Sequence, residues 1–331
     1  MGVRTRRALN PATDIMASYR LGASGEEVRR IQQQLQALAL YRGPLDGAFG
    51  AGTAAAVKAF QQRGELEADG IVGPATWRAL FGAPMAKSAL LAKPLAHRCL
   101  ALTGAFETNC AFPECFAALS GDFDGQGISF GVCQWNFGQN TLQPLLKEMI
   151  KRHPKVLQAA FQGRCEELVA ALGADKDTQM KFAVGIQQQH AVGQPWRGMF
   201  EQLGRTDEFQ FIQRNHARPL YQAALKLCAE YGLRSQRAKA LMFDIKVQNG
   251  GIDTHVRTRI LADFDSLPAG LRGGRLELAK MEIIAHRRAE AAKPQWIADV
   301  RARKLCIARG AGVVHGIAYR LDEQFGITLT R

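Results

Sequence analysis

The 331-residue sequence has no run of about 18 consecutive apolar residues, although 47% of its residues are hydrophobic. A membrane-spanning helix needs such a run, so stable membrane insertion is not expected. Residues 1–16, MGVRTRRALNPATDIM, contain arginines but lack the apolar core of a secretory signal. We therefore expect synthesis in the cytoplasm as a soluble globular protein.

Cysteine occurs at seven positions but in no metal-ligand spacing. Cys110 and Cys115 stand five residues apart without a second pair or well-placed histidines, which argues against a zinc site. An odd cysteine count without a signal peptide indicates free thiols in a reducing compartment. The lone Gly310-Ala311-Gly312 follows no strand pattern and opens no βαβ unit, so it is weak as a nucleotide motif. No metal and no cofactor are expected.

Concentrated charge of one sign is also missing. The formal net charge is +13, of which residues 1–87 contribute +4 (11 Lys+Arg, 7 Asp+Glu) and the remainder +9 (32 and 23). No lysine-rich tail and no basic cluster interleaved with aromatics occurs, so nucleic-acid binding is not expected. A diffuse positive field suits an anionic surface such as an acidic polysaccharide.

Two similar turn-and-helix units are present in the first quarter of the chain. LDGAFG at 45–50 leads to Thr53, and ADGIVG at 68–73 leads to Thr76. In both, the glycine of Asp-Gly is followed by a glycine after three residues and by threonine after three more. Glycines permit positive φ in a tight turn, and the hydroxyl stands near a helix start.

This doubled segment, from Leu21 to Phe81, resembles the small three-helix peptidoglycan-binding domain of bacterial and phage cell-wall hydrolases. The resemblance implies a shallow groove for glycan or stem peptide near the turns and the second helix. Its candidate wall-binding residues are Asp46, Phe49, Asp69 and Trp77. Phe49 and Trp77 are equally compatible with a place in the core.

Glu107 ends a predicted helix that follows a short linker. The apolar positions of this helix are spaced four, three and four residues apart: Leu95, Cys99, Leu102 and Phe106. The partial negative charge at a helix C-terminus and the flanking Phe106 and Phe112 would favour the protonated carboxyl, which a general acid requires. A solvated helix-end glutamate is the alternative for this residue taken alone.

The segment DGQGISFG at 124–131 resembles the Asp-Gly-Arg-Gly-x-Thr-x-Gly hairpin of the family 46 chitosanases within the lysozyme-like superfamily. The resemblance implies Glu107 as the acid, Asp124 as the base and Ser129 as the hydroxyl that orients the attacking water. Gln126 replaces the arginine of the motif, which leaves the identity of the substrate open. Asp122 is a rival second carboxylate or a turn cap.

Other polar residues are candidates for substrate binding. Amides bond to sugar hydroxyls and an indole face stacks on a pyranose, although a core tryptophan and turn-capping amides would give the same pattern. The stretch 240–251 resembles the helix and Asn-Gly turn that line the far side of the cleft in lysozyme-like domains. Asp244 stands there among apolar residues, so we expect it to be buried and paired, for example with an arginine. The substrate-binding candidates are Asp122, Gln134, Trp135, Asn136, Gln248 and Asn249.

These interpretations predict a mainly α protein. It would comprise an N-terminal arm (1–20), a three-helix peptidoglycan-binding domain (21–82), a linker (83–93) and a larger lysozyme-like α domain (94–331) with a β-hairpin at its cleft. The expected partner is bacterial peptidoglycan, and a monomer is expected.

The predicted function is that of an endolysin, a peptidoglycan hydrolase that cleaves the bond between N-acetylmuramic acid and N-acetylglucosamine. It would accumulate in the host bacterial cytoplasm and reach the wall through a separate pore-forming protein. A lytic transglycosylase needs only the glutamate and remains an alternative. A chitosanase is disfavoured because chitosan is a polycation and the larger domain carries +9. A non-catalytic wall-binding protein is the last alternative.

Overall fold

The computed structural model describes residues 19–23, 25–84, 89–123 and 125–331. Helices dominate these residues and the strands are two to four residues long, so the predicted mainly α class is confirmed. None of the helices in the described part of the chain combines the length and apolarity needed to cross a bilayer.

The small N-terminal domain contains three helices: α1 (Glu26–Ala37), α2 (Ala51–Arg63) and α3 (Pro74–Phe81). Each of the two Asp-Gly turns leads into a helix, α2 after the first and α3 after the second. Pro74 stands in the first turn of α3, where its missing N–H costs nothing. The apolar faces of the helices close a core of their own around Val28, Ile31 and Val57.

The larger domain is built from twelve further helices in the described residues. They are α4 (Leu95–Thr108), α5 (Gln143–Arg152), α6 (Pro154–Phe161), α7 (Cys165–Gly173), α8 (Lys176–Gly185), α9 (Trp196–Arg205), α10 (Asp207–Glu230), α11 (Gln236–Asn249), α12 (Thr254–Asp265), α13 (Gly273–Glu290), α14 (Ile297–Arg309) and α15 (Leu321–Phe325). Short 3₁₀ helices span Ala89–Ala92, Glu114–Phe116, Gln162–Arg164 and Pro294–Trp296.

Several of these helices begin at residues whose side chains cap them. In each case the side-chain oxygen accepts a hydrogen bond from the backbone N–H three residues later, which satisfies one of the unpaired donors at a helix start. The capping residues of α8, α10, α11 and α12 are Asp175, Thr206, Ser235 and Asp253.

The larger domain has two hydrophobic cores joined by the 24-residue helix α10. Its first half contributes Phe209 and Ile212 to a core shared with α5–α9. Its second half contributes Ala217 and Ala224 to a core built around α4, α11 and the C-terminal elements. The sheet that follows α4 lies at the junction, because Trp135 packs against both cores.

Short strands form three small sheets: β1 (Leu119–Ser120), β2 (Ser129–Phe130) and β3 (Trp135–Asn136); β4 (Gln187–Gln188) and β5 (Ala191–Val192); β6 (Ala311–Val314) and β7 (Ile317–Arg320). The first is an antiparallel sheet in the order β1-β2-β3, with Ser129 opposite both Ser120 and Asn136. The predicted hairpin is therefore present, and a third strand extends it.

The segment before α1 joins the two domains. Tyr19 pairs with Val72 of the small domain through two backbone hydrogen bonds of 2.8 and 3.1 Å. The next side chain, Arg20, is 4% exposed and its guanidinium lies 4.1 Å from the ring centroid of Tyr319 in the larger domain. Phe325 lies on the same guanidinium at 5.6 Å.

A second contact between the domains is ionic. Arg320, at the end of β7, pairs with Glu67 and lies 3.4 Å from the Asp69 carboxylate. The predicted linker at 83–93 is only partly a linker, because Leu90 is 2% exposed and belongs to the core around α4. The hydrophobic core of the larger domain therefore begins before residue 94.

Candidate active site

Glu107 stands in the last turn of α4, a helix that is buried on every side over residues 99–106. The spacing of its apolar residues predicted one buried face, but all residues from Cys99 to Phe106 are buried. A helix that is apolar all round belongs in the centre of a large core. The first residue of α4 to emerge from this core is Glu107, whose side chain is 23% exposed.

A buried charge network holds the Glu107 carboxylate. Arg303 of α14 donates from Nη2 to Glu107 Oε1 at 2.7 Å and to Asp244 Oδ1 at 2.6 Å, and its Nε lies 3.0 Å from both Asp244 oxygens. Lys304 also binds Asp244, and Thr103 of α4 donates to it at 3.1 Å. Two cations thus face two carboxylates.

The prediction that Asp244 is buried and paired with an arginine is confirmed, since it is 0% exposed. Burial alone would raise the pKa of Asp244, but the charges of Arg303 and Lys304 outweigh it and lower the pKa to about 2. Burial lowers the pKa of the Lys304 ammonium to about 8, with Asp244 opposing the shift. The ionised Asp244 fixes Arg303, and Arg303 fixes Glu107.

The turn between β2 and β3 packs directly on α4. A Cβ placed on Gly104 would lie 2.2 Å from Cγ2 of Val132, so glycine is required for this approach. Gln213 of α10, 0% exposed, holds the turn from the other side. It accepts from the Val132 N–H and donates to the Phe116 carbonyl, both at 2.9 Å.

This packing brings Glu107 beside the turn. Burial raises the pKa of the Cys133 thiol, and the Glu107 carboxylate raises it further, which places the two groups in one environment. The arrangement offers one part-exposed carboxylate, oriented by a guanidinium, at the edge of a short sheet. Such a group can exchange a proton with a substrate oxygen.

Of the other proposed catalytic residues, the structure describes Ser129 and Asp122. Asp124 lies outside the described residues. Ser129 is half-buried in β2, the central strand. Asp122 acts as a turn cap, because its Oδ1 accepts from the Gly125 N–H at 2.6 Å. Its backbone N–H donates to the Gln187 side chain at 2.7 Å, which ties this turn to β4.

The two amides beside Trp135 serve the fold. Gln134 donates to the Gly131 carbonyl at 2.9 Å and accepts from the Ser120 hydroxyl at 2.8 Å. Asn136, 8% exposed, accepts from the Gln139 N–H at 2.8 Å and caps the following turn. Trp135 is half-buried between the two cores. The contacts of these three side chains are therefore those expected if they stabilise the fold.

Gln248 and Asn249 end α11, on the helix that carries Asp244. Gln248 accepts from Lys304 at 2.6 Å, so it extends the buried network. Asn249 Oδ1 is a buried acceptor without a hydrogen-bond partner among the described residues. A buried unpaired acceptor is costly, and a substrate hydroxyl would satisfy it.

In the small domain, each Asp-Gly turn closes around a buried glutamine. Gln32 donates to Asp46 at 2.9 Å and accepts from the Gly47 N–H at 2.9 Å. Gln61 repeats this with Asp69 and the Gly70 N–H, both at 2.8 Å. The threonines of the motif complete the networks, since Thr53 lies 3.3 Å from Gln32 and Thr76 lies 3.1 Å from Gln61.

The candidate wall-binding residues therefore have roles inside this domain. Hydrogen bonds from Gln32 and the Ala48 N–H lower the pKa of the Asp46 carboxyl, which stays ionised. Phe49 and Trp77 are 2% and 5% exposed, so neither presents an open ring face to a sugar. Asp69 faces Arg320 of the larger domain.

The sequence interpretation missed the residues that orient these groups. Arg303 and Lys304 stand in a segment of alternating basic and apolar residues that resembles a solvated helix face. The roles of Gln32 and Gln61 could have been predicted from helical spacing, because each falls at a buried position of a helix that precedes an Asp-Gly turn. No group of three potential metal ligands occurs within the residues that the structure describes.

Comparison with known proteins finds matches to the small domain. Residues 24–80 match the family model described as "Putative peptidoglycan binding domain". An N-acetylmuramoyl-L-alanine amidase, CwlM, from Mycobacterium tuberculosis is 40% identical over 92 residues, covering 24% of this chain and 21% of the relative. A spore cortex-lytic enzyme from Oceanobacillus iheyensis is 46% identical over 55 residues, covering 17% and 20%. The chain spans about a fifth of the length of these curated relatives.

A solved structure is similar over the larger part of the chain. It is a family 46 chitosanase from Gynuella sunshinyii in complex with chitotetraose, with a TM-score of 0.42 and 15% identity. The similarity covers 66% of this chain and 87% of the chitosanase chain. It is too distant to carry a functional argument.

Proposed function

We propose that this protein is a peptidoglycan hydrolase in which the small domain binds the wall and the larger domain cleaves the bond between N-acetylmuramic acid and N-acetylglucosamine. The observation that carries the proposal is the combination of the peptidoglycan-binding match at 24–80 with the part-exposed, guanidinium-held Glu107 of the larger domain. The names of the two curated relatives, an amidase and a spore cortex-lytic enzyme, support action on the wall but do not name this bond.

In this proposal the carboxyl group of Glu107, which must carry a proton when the substrate is bound, donates that proton to the glycosidic oxygen that leaves. A hydrolase that inverts also needs a base and a water on the opposite face of the sugar, with carboxyl groups roughly 6.5–9.5 Å apart. Asp124 is the proposed base and Ser129 the proposed water-holding hydroxyl. Asp122 is less suited to that role because its carboxylate caps the turn.

A lytic transglycosylase is the second candidate. In such an enzyme the muramyl hydroxyl of the substrate replaces water, so a single carboxyl group is sufficient. The contacts of Asp122 support keeping this candidate, because its carboxylate caps a turn and, among the described residues, Glu107 is then the carboxylate proposed for the chemistry.

Digestion of purified sacculi, followed by mass spectrometry of the products, tests the proposal. Free reducing ends at N-acetylmuramic acid support the hydrolase, and 1,6-anhydro-muramyl ends support the transglycosylase. Release of stem peptides with intact glycan strands would instead indicate an amidase. A protein that binds sacculi and releases nothing would be a wall-binding protein.

The cellular setting is also part of the proposal. We propose that the enzyme accumulates in the host bacterial cytoplasm as a monomer and reaches the wall through a hole made by another protein. Its net charge of +13 would draw it to an anionic wall. Fractionation of expressing cells with and without a co-expressed pore-forming protein checks this, and lysis is expected only when the pore-forming protein is present.

A further inference from the structure

A cavity of about 280 Å³ lies between the first half of α4 and the middle of α10, away from the candidate active site. Its walls are apolar, with Leu100, Ala217 and Phe243 among the lining residues. The polar part of the lining comprises His97, Arg214, Arg218, Tyr221 and Gln222. This volume is close to the lower end of small-molecule sites, about 300 Å³.

His97 is more than nine-tenths buried, yet its Nε2 has no hydrogen-bond partner among the described residues. The rings of Phe112 and Phe116 hold the imidazole edge-on at 5.6 and 5.7 Å. Burial, followed by the charges of Arg214 and Lys93, lowers the pKa of His97 to about 4. The imidazole is therefore neutral near pH 7, and a buried polar atom of this kind calls for a partner.

Two arginines of α10 line the cavity. Arg214 and Arg218 are four residues apart on α10 and so lie on one face. Neither has a carboxylate within 4 Å in the described part of the chain, whereas Arg205 nearby pairs with Glu114 at 3.0 Å. Burial also lowers the pKa of the Arg214 guanidinium. Arg214 is half-buried with its guanidinium 5.7 Å from the ring centroid of Phe211, whereas Arg218 is exposed. A ligand that brings a negative charge would offset the cost of burying the Arg214 cation.

We propose that this cavity binds a small organic carboxylate with a short aliphatic or aromatic body. The carboxylate would pair with Arg214 and Arg218, and the body would lie against Leu100 and Phe243. His97 would donate or accept a hydrogen bond at the ligand's polar edge. His97 and Glu107 are ten residues apart on α4, roughly 15 Å at 1.5 Å per residue, so the two sites are separate.

Titration of the full-length protein with benzoate and with hexanoate, followed by calorimetry and by NMR of the His97 ring, tests this inference. Benzamide and hexanamide are the neutral controls, and inorganic phosphate is the control for a simple anion. At least one carboxylate should bind saturably and shift the His97 signals. Arg218→Gln should weaken it about tenfold, the size expected for a charged hydrogen bond.

Lys226→Gln is the matched control, because Lys226 is an exposed cation on the same helix outside the cavity. It should leave carboxylate binding unchanged. Wall lysis should be the same in both variants, so a failure here is distinguishable from a failure of the proposed function. Absence of saturable binding, equal binding of the amides, or equal binding by phosphate would each overturn the inference.

Discussion

The Glu107 carboxylate contacts a guanidinium that is itself held by Asp244. Arg303 uses Nη2 for both carboxylates, so a shift of Asp244 would move the donor that orients Glu107. Taking four charges out of water is costly, and the network is favourable only while its members stay paired. Residues that touch no substrate can therefore decide whether Glu107 is correctly positioned.

Replacement of Glu107 by glutamine should abolish wall lysis and leave the fold intact. The amide keeps the shape of the side chain but cannot donate a proton to the leaving oxygen, so the rate should fall by about 10²–10⁴ or more. Turbidity of sacculus suspensions measures the loss. Glu114→Gln, which breaks only the exposed pair with Arg205, is the control. Retention of more than roughly a tenth of the activity would show that Glu107 is not the acid.

Asp244→Asn should destabilise the protein by about 3–5 kcal/mol, because it leaves Arg303 and Lys304 buried without their counter-charge. The folded-state pKa of about 2 lies below the unfolded value of ~3.9. The ionised Asp244 therefore stabilises the fold above pH ~4, and this contribution is lost as the pH falls toward 2.

Urea unfolding of wild type and Asp244→Asn at several pH values between 6 and 2 measures both effects. The difference in unfolding free energy should narrow as the pH falls, by about 2.5 kcal/mol at most. Asp263→Asn, which breaks a surface pair with Arg287, should cost about 1 kcal/mol or less. A pH-independent difference would mean that Asp244 is not held as a carboxylate.

The central helix α4 places both Glu107 and the sheet turn that packs on Gly104. Its small residues in the last two turns allow this approach, and the turn is held from behind by Gln213. The position of the sheet therefore depends on the surface of α4 and on Gln213 of α10.

Gly104→Ala tests whether the clash with Val132 outweighs the higher helix propensity of alanine. In an open helix the change stabilises by roughly 0.5–1 kcal/mol, but here the new Cβ would meet Val132 at 2.2 Å. We expect a net loss of about 1–3 kcal/mol from overpacking, together with reduced lysis because the turn beside Glu107 moves. Gly173→Ala, where a Cβ meets nothing within 4 Å, is the control and should be neutral or stabilising. A stabilised Gly104→Ala variant would contradict the packing described.

The hydrogen bonds between a buried glutamine and each Asp-Gly turn allow the wall-binding role of the small domain to be tested. Gln61→Leu removes four hydrogen bonds at once, so the second Asp-Gly turn should open and binding to sacculi should fall. Gln62→Leu, at the adjacent exposed position, should leave binding unchanged. Pull-down with sacculi measures both, and equal binding by the two variants would show that the turn is not needed for recognition.

The sequence predicted the helices and turns more completely than it predicted the contacts of the candidate active site. Turn glycines and helical spacing predicted the small domain and α4, since they depend on backbone geometry alone. The pairing of Asp244 was predicted because a carboxylate among apolar residues needs a counter-charge. The identity of its partner, 59 residues away in α14, could not be predicted, because long-range pairing is set by how helices pack. For the same reason the residues around His97 gave no signal.

Two of the contacts between the domains differ in origin. Arg20 inserts between the small domain and the aromatic pair Tyr319 and Phe325, while Arg320 reaches back to Glu67 and Asp69. The first contact is buried and the second is largely exposed, so the first should contribute more to stability. The small domain is thus a packing partner of the larger domain, in addition to its proposed role as a tether to the wall.

Deletion of residues 1–87 should lower the activity on whole sacculi and change the activity on short soluble fragments little. A tether raises the local concentration of wall substrate without altering the chemistry. The deletion also removes Arg20 from Tyr319, so a lower melting temperature is expected. Arg20→Ala in the full chain is the matched control. It should reproduce part of the thermal shift, about 0.5–2 kcal/mol in stability, and keep activity on sacculi. Equal loss of activity on sacculi and on fragments by the deletion would mean that the small domain completes the active fold, and its contact through Arg20 would then matter for the chemistry itself.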